Sequence, residues 1–237
     1  MKKVIFISLA LLQIYSYSQP IGNKVRLSLG ADYITSSQIF SNPNSSDIVI
    51  RNESFEITNL FSPAIDLRYY ITDDILFGIS SEYIAGRGSN YIDLVEEGSG
   101  RFFRFKIEDG LIYIPVEFSV YYLMPFSTES VSFTMGGGLG YYFAEHTRKL
   151  GDNSLVNTEN KNSLSLLISV GMEYFLFKDF GVGLDMKFRD PENKITSRYK
   201  NSDFIYQGRP YTIQTNESAS KLNLDGISFF LALTYHF

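Results

Sequence analysis

"GISFFLALTYHF", residues 226–237, is a run in which every second side chain from Ile227 is large and apolar: Ile227, Phe229, Leu231, Leu233, Tyr235 and Phe237. Smaller or polar residues, Ser228, Ala232, Thr234 and His236, fall between them. Period two is the signature of a strand with two unlike faces. Ending on Phe237, such a strand would be an exposed sticky edge in an open soluble sheet. In a closed barrel it pairs with the first strand, here 24–33, and no edge remains.

The same alternation recurs at 25–33, 65–71, 77–83, 112–122, 133–143, 164–176 and 182–188, and no segment holds a 3.6-residue period. Connections at 72–74, 123–130 and 177–179 are short. Those around 35–60, 86–110, 147–162 and 190–222 are long and polar. Short and long strictly alternate, so the short turns lie at one end of a meander and the long loops at the other. The predicted fold is all-β: an eight-stranded antiparallel up-and-down transmembrane β-barrel over residues 19–237. Pro115, inside the fourth strand, has no N–H for the ladder and is expected at a bulge.

Residues 1–18 read as a signal peptide. Lys2 and Lys3 precede an apolar stretch too short to span a bilayer, and small serines follow at Ser16 and Ser18. The remaining chain carries 19 basic and 26 acidic residues, a net charge of −7, which argues against nucleic acid as a partner. There is no Cys, hence neither a disulfide framework nor a lipid-modified N-terminal Cys. Tyr and Phe number 17 and 20, an aromatic load suited to strands and interfaces.

Alternation alone does not say which face is outside, because a soluble barrel and a membrane barrel are inverses of each other. The polar face here is rich in Gly and Ser and carries charges of both signs: Arg26, Arg68, Lys187 and Arg189 against Asp32, Asp66, Glu82, Glu117, Glu173 and Asp185. Small residues and paired charges suit a narrow, filled lumen. The apolar face is banded. Tyr33, Phe61, Tyr83, Tyr141, Phe143 and Phe188 fall toward the long loops, and Tyr69, Phe77, Tyr122, Phe133, Tyr174 and Tyr235 toward the short turns. Two aromatic girdles around an aliphatic belt suit a bilayer, so the polar face is assigned inward and outer-membrane lipid is the expected partner of the other.

With these strands in view, the chain resembles the small outer-membrane β-barrel proteins of Gram-negative bacteria. "LALTYHF" at 231–237 is similar to their terminal strand, and "GLIYIPVEFSVYYL" (110–123) with "FTMGGGLGYYF" (133–143) is similar to paired strands of the PorT-like barrel domain of Bacteroidota. The likeness covers the whole mature chain, and OmpX-like barrels belong to the same group. It implies an integral protein of the cell outer membrane. It also implies that Tyr235 and Phe237 form the signal read by the barrel-assembly machinery, a partner during biogenesis.

Chemistry is sparse. There are two His residues: His236 on the lumen face and His146 after Glu145 at the rim, with Asp152 and Ser154 beyond. No nucleophile-and-base spacing accompanies them. The stretch 93–100, "DLVEEGSG", lacks the alternating oxygen ligands of a calcium loop, and "MGGGLG" has neither the Lys nor the helix of a phosphate loop. The reading is therefore no catalytic residue, no metal and no cofactor. The expected role is structural or surface-interacting, non-enzymatic, with an extracellular ligand or protein partner at the long loops. Alternatives are a PorT-like accessory in secretion, a narrow channel, and less favoured, a lipid-modifying enzyme. Deleting Phe237, or replacing it with Asp, is expected to lower membrane insertion strongly, scored as folded protein in purified outer membranes; normal insertion would remove the assembly-signal reading.

Overall fold

The computed structural model describes residues 24–237 apart from 98, 152, 207 and 214–216. The signal peptide expected at 1–18 lies outside the described residues. The chain folds into strands β1 (Val25–Phe40), β2 (Ser54–Tyr70), β3 (Ile75–Glu82), β4 (Ile84–Glu96), β5 (Phe102–Leu123), β6 (Val131–Leu150) and β7 (Asn153–Lys161). There follow β8 (Ser163–Phe175), β9 (Phe180–Arg189), β10 (Glu192–Tyr199), β11 (Asp203–Tyr206), β12 (Arg209–Thr212), β13 (Glu217–Asn223) and β14 (Gly226–His236). One five-residue helix, α1 (Ile48–Asn52), is capped by Asp47, whose carboxylate accepts from the Val49 N–H at 2.8 Å.

Every ladder is antiparallel, and the ladder order β1, β2, β3, β5, β6, β8, β9, β14 returns to β1. The closing ladder runs from Arg26↔His236 to Ile34↔Ser228. It is completed at the chain end, where the Val25 N–H donates to the Phe237 carbonyl at 3.0 Å and the Phe237 N–H to the Val25 carbonyl at 2.9 Å.

Leu231, Leu233, Leu166 and Ile168, on the outward face, are 57 to 74 % exposed, while their neighbours Ala232 and Leu167 are buried. An apolar wall this continuous is covered by lipid. Ring pairs mark both rims: Tyr33–Phe61 and Tyr141–Phe143 at centroid distances of 5.0 Å on the outer side, Phe180–Tyr235 at 4.7 Å on the other.

Three features correct or add to the sequence expectations. The regions 86–110, 147–162 and 190–222, read as loops, are largely strand: β5 and β6 are 22 and 20 residues long, about twice what a bilayer crossing requires. Their outer halves, with β4, β7, β10 and β13, carry the wall beyond the belt. The hairpin β11–β12 adds to the edge of β4 through Tyr211↔Glu96 and Thr212↔Val95. Second, Pro115 is not at a bulge in its ladder with β6, which runs without a shift from Glu108↔Lys149 to Leu123↔Thr134. Its carbonyl accepts from Ser81 Oγ at 2.7 Å, so its N faces the same side, where β3 breaks to β4 at Tyr83. On that side the β5 ladder is interrupted, ending with β3 at Ser81↔Val116 and resuming with β4 at Ile84↔Tyr113. Third, at the top of the belt the inward set changes phase, from Ile34 to Ser37 and Ile39 on β1 and from Leu60 to Ile57 on β2. Asn59 accommodates this with φ 58°.

The narrow ring depends on glycine at close approaches. A Cβ at Gly138 would stand 1.9 Å from the Phe118 carbonyl oxygen and 2.7 Å from Ser119 Cα, both backbone. Gly138→Val is expected to destabilise at or above the upper end of the ~1–3 kcal/mol overpacking range. The measurement is the urea midpoint of the refolded protein in detergent, with Ser165→Val on the adjacent ladder as a comparison expected near wild type.

Candidate functional site: a sealed lumen beneath an outer vestibule

The ten charged residues assigned to the lumen are all buried. They fall into two clusters, each of two bases and three carboxylates. Toward the short turns, Arg26 Nε lies 3.2 Å from Glu173 Oε2 and its Nη2 3.9 Å from Asp185 Oδ2. Arg68 donates through Nη2 to Asp185 Oδ2 at 2.9 Å, and its Nε is 2.8 Å from Asp66 Oδ1. Its guanidinium stacks 3.9 Å over the Tyr121 ring, which sits against the bare backbones of Gly78 and Gly136. Thr234 donates to Glu173, and His236 Nε2 is 2.8 Å from the same carboxylate.

Farther out, Arg189 Nη1 donates to Glu82 and, at 2.7 Å, to Glu117 Oε1. Its Nη2 is 3.6 Å from Asp32 Oδ2. Lys187 Nζ donates to Glu117 Oε2 at 3.0 Å. Ser62, Ser80 and Tyr142 hydroxyls complete the shell, donating to Glu82 at 2.8 Å and to Glu117 at 3.0 and 2.9 Å. In so little solvent these charges require their partners.

Apolar layers close both sides. Leu76, Tyr121 and Leu123 pack at the short-turn end, with Tyr70 against them. Above Arg189 lies a larger apolar layer that includes Ile34, Ile57, Leu60, Ile84, Leu111 and Tyr113. Sequence reading missed this layer, and with it a polar node beyond the belt. There Asp109 accepts from Asn90 Nδ2 at 3.0 Å and from Arg148 Nη2 at 2.6 Å, with His146 Nε2 2.6 Å from its other oxygen. Burial alone would push the Asp109 carboxyl up. The His146 hydrogen bond and the Arg148 charge outweigh it and hold the group well below the usual carboxylate range. A second apolar group, Leu94, Ile107, Leu150, Tyr199, Tyr211 and Ile213, lies beyond the node.

His146 is therefore buried rather than a solvated rim residue, because it continues the inward face of β6. Asp152 lies outside the described residues. Tyr235 and Phe237, by contrast, are exposed at the belt's lower rim, their rings stacked at 5.8 Å. Among the described residues no group of three or more His, Cys, Asp or Glu is placed to hold a metal.

Where the outer strands and connections converge there is a cavity of about 610 Å³. Its lining comes from the β1–β2 connection, β4, β5, β6, β10, β12 and β13, with Arg148 and Tyr199 of the node and the apolar group among it. An open vestibule thus stands over a filled interior.

No family model and no curated protein matches the chain. Among solved structures it is similar to the outer membrane protein OprG from Pseudomonas aeruginosa, with TM-score 0.62 and 11% identity over 94% of this chain and 98% of that one. The outer membrane protease OmpT from Escherichia coli aligns at TM-score 0.48 and 7% identity over 92% and 97% of the two chains. Ail, the attachment invasion locus protein of Yersinia pestis, aligns at TM-score 0.45 and 13% identity over 91% and 99%. At such identities the likeness is one of fold. An antiparallel all-β sheet closed on itself, wrapped by an apolar belt and shared with OprG, defines an integral protein of the outer membrane.

Arg189 faces three carboxylates, so Arg189→Met leaves Glu82 and Asp32 without their ion pair and Glu117 with Lys187 alone, and is expected to cost about 3–5 kcal/mol. Lys161→Met, removing an exposed pair with Glu159, is expected to cost under about 1 kcal/mol. Urea midpoints of the two refolded variants check the contrast; equal midpoints would count against a stabilising role for the Arg189 cluster.

Proposed function

We propose that the ladder ring is an eight-strand transmembrane barrel serving as a mount, and that the outer extension is the working part. In this reading the protein is a non-enzymatic, surface-interacting component of the outer membrane that takes an extracellular ligand or partner at its vestibule. The observation that carries it is the contrast along the axis. The vestibule is open, whereas the interior below is filled by two apolar layers and two ion-paired clusters. A narrow channel would need a continuous polar path, and the apolar layers interrupt one. For catalysis at His146, Nε2 is already engaged by Asp109 and Nδ1 has no partner among the described residues, so no activated nucleophile adjoins it.

The finer family reading, a PorT-like domain of Bacteroidota, belongs to the same proposal. It is supported by the strand sequences 110–123 and 133–143, which pair as β5 and β6. A role as accessory in secretion rests on that resemblance. Recognition by the assembly machinery at Tyr235 and Phe237 fits their exposure at the lower rim.

The pure, folded protein is expected to give no stepwise current in planar bilayers. Reproducible unitary conductance that Arg189→Met alters would replace the mount-and-vestibule reading with a channel.

A further inference from the structure

Resting on the reading of the outer extension as the interacting part, we infer that the vestibule takes a neutral saccharide, of the size of one or two sugar rings. A volume of about 610 Å³ is in the range of small-ligand sites. The chemistry of the lining then narrows the class.

An anionic ligand is disfavoured. Arg148 is the one cation among the lining residues described, and its Nη2 is committed to Asp109 at 2.6 Å, while Asp93 and Glu217 bring negative charge. Among the lining residues a phosphate or sulfate would meet one guanidinium, already paired with a carboxylate, against two carboxylates. A hydrocarbon is disfavoured for a different reason. Asn42 and Asn44 from the β1–β2 connection, Asp93 of β4, Thr212 of β12 and Glu217 of β13 put hydrogen-bonding groups around the cavity. An alkyl chain would strip water from these groups and return no bonds.

A sugar ring has an apolar C–H face and a rim of hydroxyls, and the lining offers both. Tyr91 and Asp93 are two apart on β4, on the exposed face opposite Asn90, Ile92 and Leu94, and both line the cavity, a flat ring beside a carboxylate. Tyr91 is 55 % exposed. Arg104, paired in register with Asp93, stacks 5.1 Å from the centre of the Tyr91 ring. That contact braces the ring beside the Asp93 carboxylate, which is an acceptor edge. Phe102 and Tyr199 supply further aromatic surface, and the two Asn amides both donate and accept.

The test uses the mature protein in lipid nanodiscs. Maltose, N-acetylglucosamine and N,N′-diacetylchitobiose are the neutral probes, against a heparin-derived disaccharide and decanoate. Binding is read by saturation-transfer NMR and calorimetry, and folding of each variant by its resistance to SDS without heating. At least one neutral saccharide is expected to bind, with Tyr91→Ala and Asp93→Asn each weakening it by about tenfold or more. The inference is overturned if no neutral saccharide binds, or if binding ignores both substitutions in folded protein. Binding of the heparin disaccharide or decanoate alone, weakened by Tyr91→Ala, also overturns the saccharide assignment, but leaves the outer extension as the binding part. Failure of the latter reading has its own signature, a conductance.

Discussion

Inside a bilayer a backbone amide has no water to bond, so each N–H and C=O along the belt must find a neighbouring strand. The reciprocal bonds between Val25 and Phe237 are where this demand is finally met, because they join the last residue to the first strand. Much of the remaining interior follows from that closure. A small ring brings backbones together at Gly30 and Gly138, where any side chain would collide with a carbonyl. The residual space excludes bulk water, so charges within it persist only as pairs. Tyr121 shows how the constraints interlock: Gly78 and Gly136 make room for its ring, and the ring supports Arg68.

Above the belt the same strands enter water and their polarity inverts. β10 reads Glu-Asn-Lys-Ile-Thr-Ser-Arg-Tyr, with Asn193, Ile195, Ser197 and Tyr199 buried and Glu192, Lys194 and Arg198 exposed. In the belt β14 does the reverse, with Thr234 and His236 buried and Leu233 and Tyr235 facing lipid. The phase change around Asn59 and Thr35 marks the level of this switch on β1 and β2. Thr35 and Ser36 also bind the start of β14: Thr35 Oγ1 accepts from the Ile227 N–H at 3.2 Å, and Ser36 Oγ donates to the Asp225 carbonyl at 2.8 Å.

That inversion explains which parts of the molecule were legible in the sequence. Apolar-out alternation is a strong signal when aliphatic and aromatic residues recur on one face, as from Ile227 to Phe237. The charged residues between them could then be placed inward by parity alone. The outer strands alternate less cleanly, with Ser, Asn and Thr on both faces, and so resemble loops. Asp109 was within reach: extending the inward parity of β5 from Glu117 through Pro115, Tyr113 and Leu111 arrives at it, and the inward parity of β6 runs on through His146 to Arg148. What parity does not carry is which inward residues meet. The pairing of Arg189 with Glu82 joins residues 107 apart and depends on strand stagger around the ring.

The interior thus has two kinds of polar site, and their surroundings set what each can do. The Arg189 cluster is enclosed between apolar layers, and its charges are paired with one another. A solute reaching it would have to displace partners whose desolvation has already been offset, at a cost of several kcal/mol. The Asp109 node is different because it has a neighbour with access to the outside. Asp109 satisfies Asn90, His146 and Arg148 together, which fixes the Arg148 side chain where it lines the vestibule. The node therefore reaches the outer cavity through Arg148, and the rings, amides and carboxylates of the lining stand outside it.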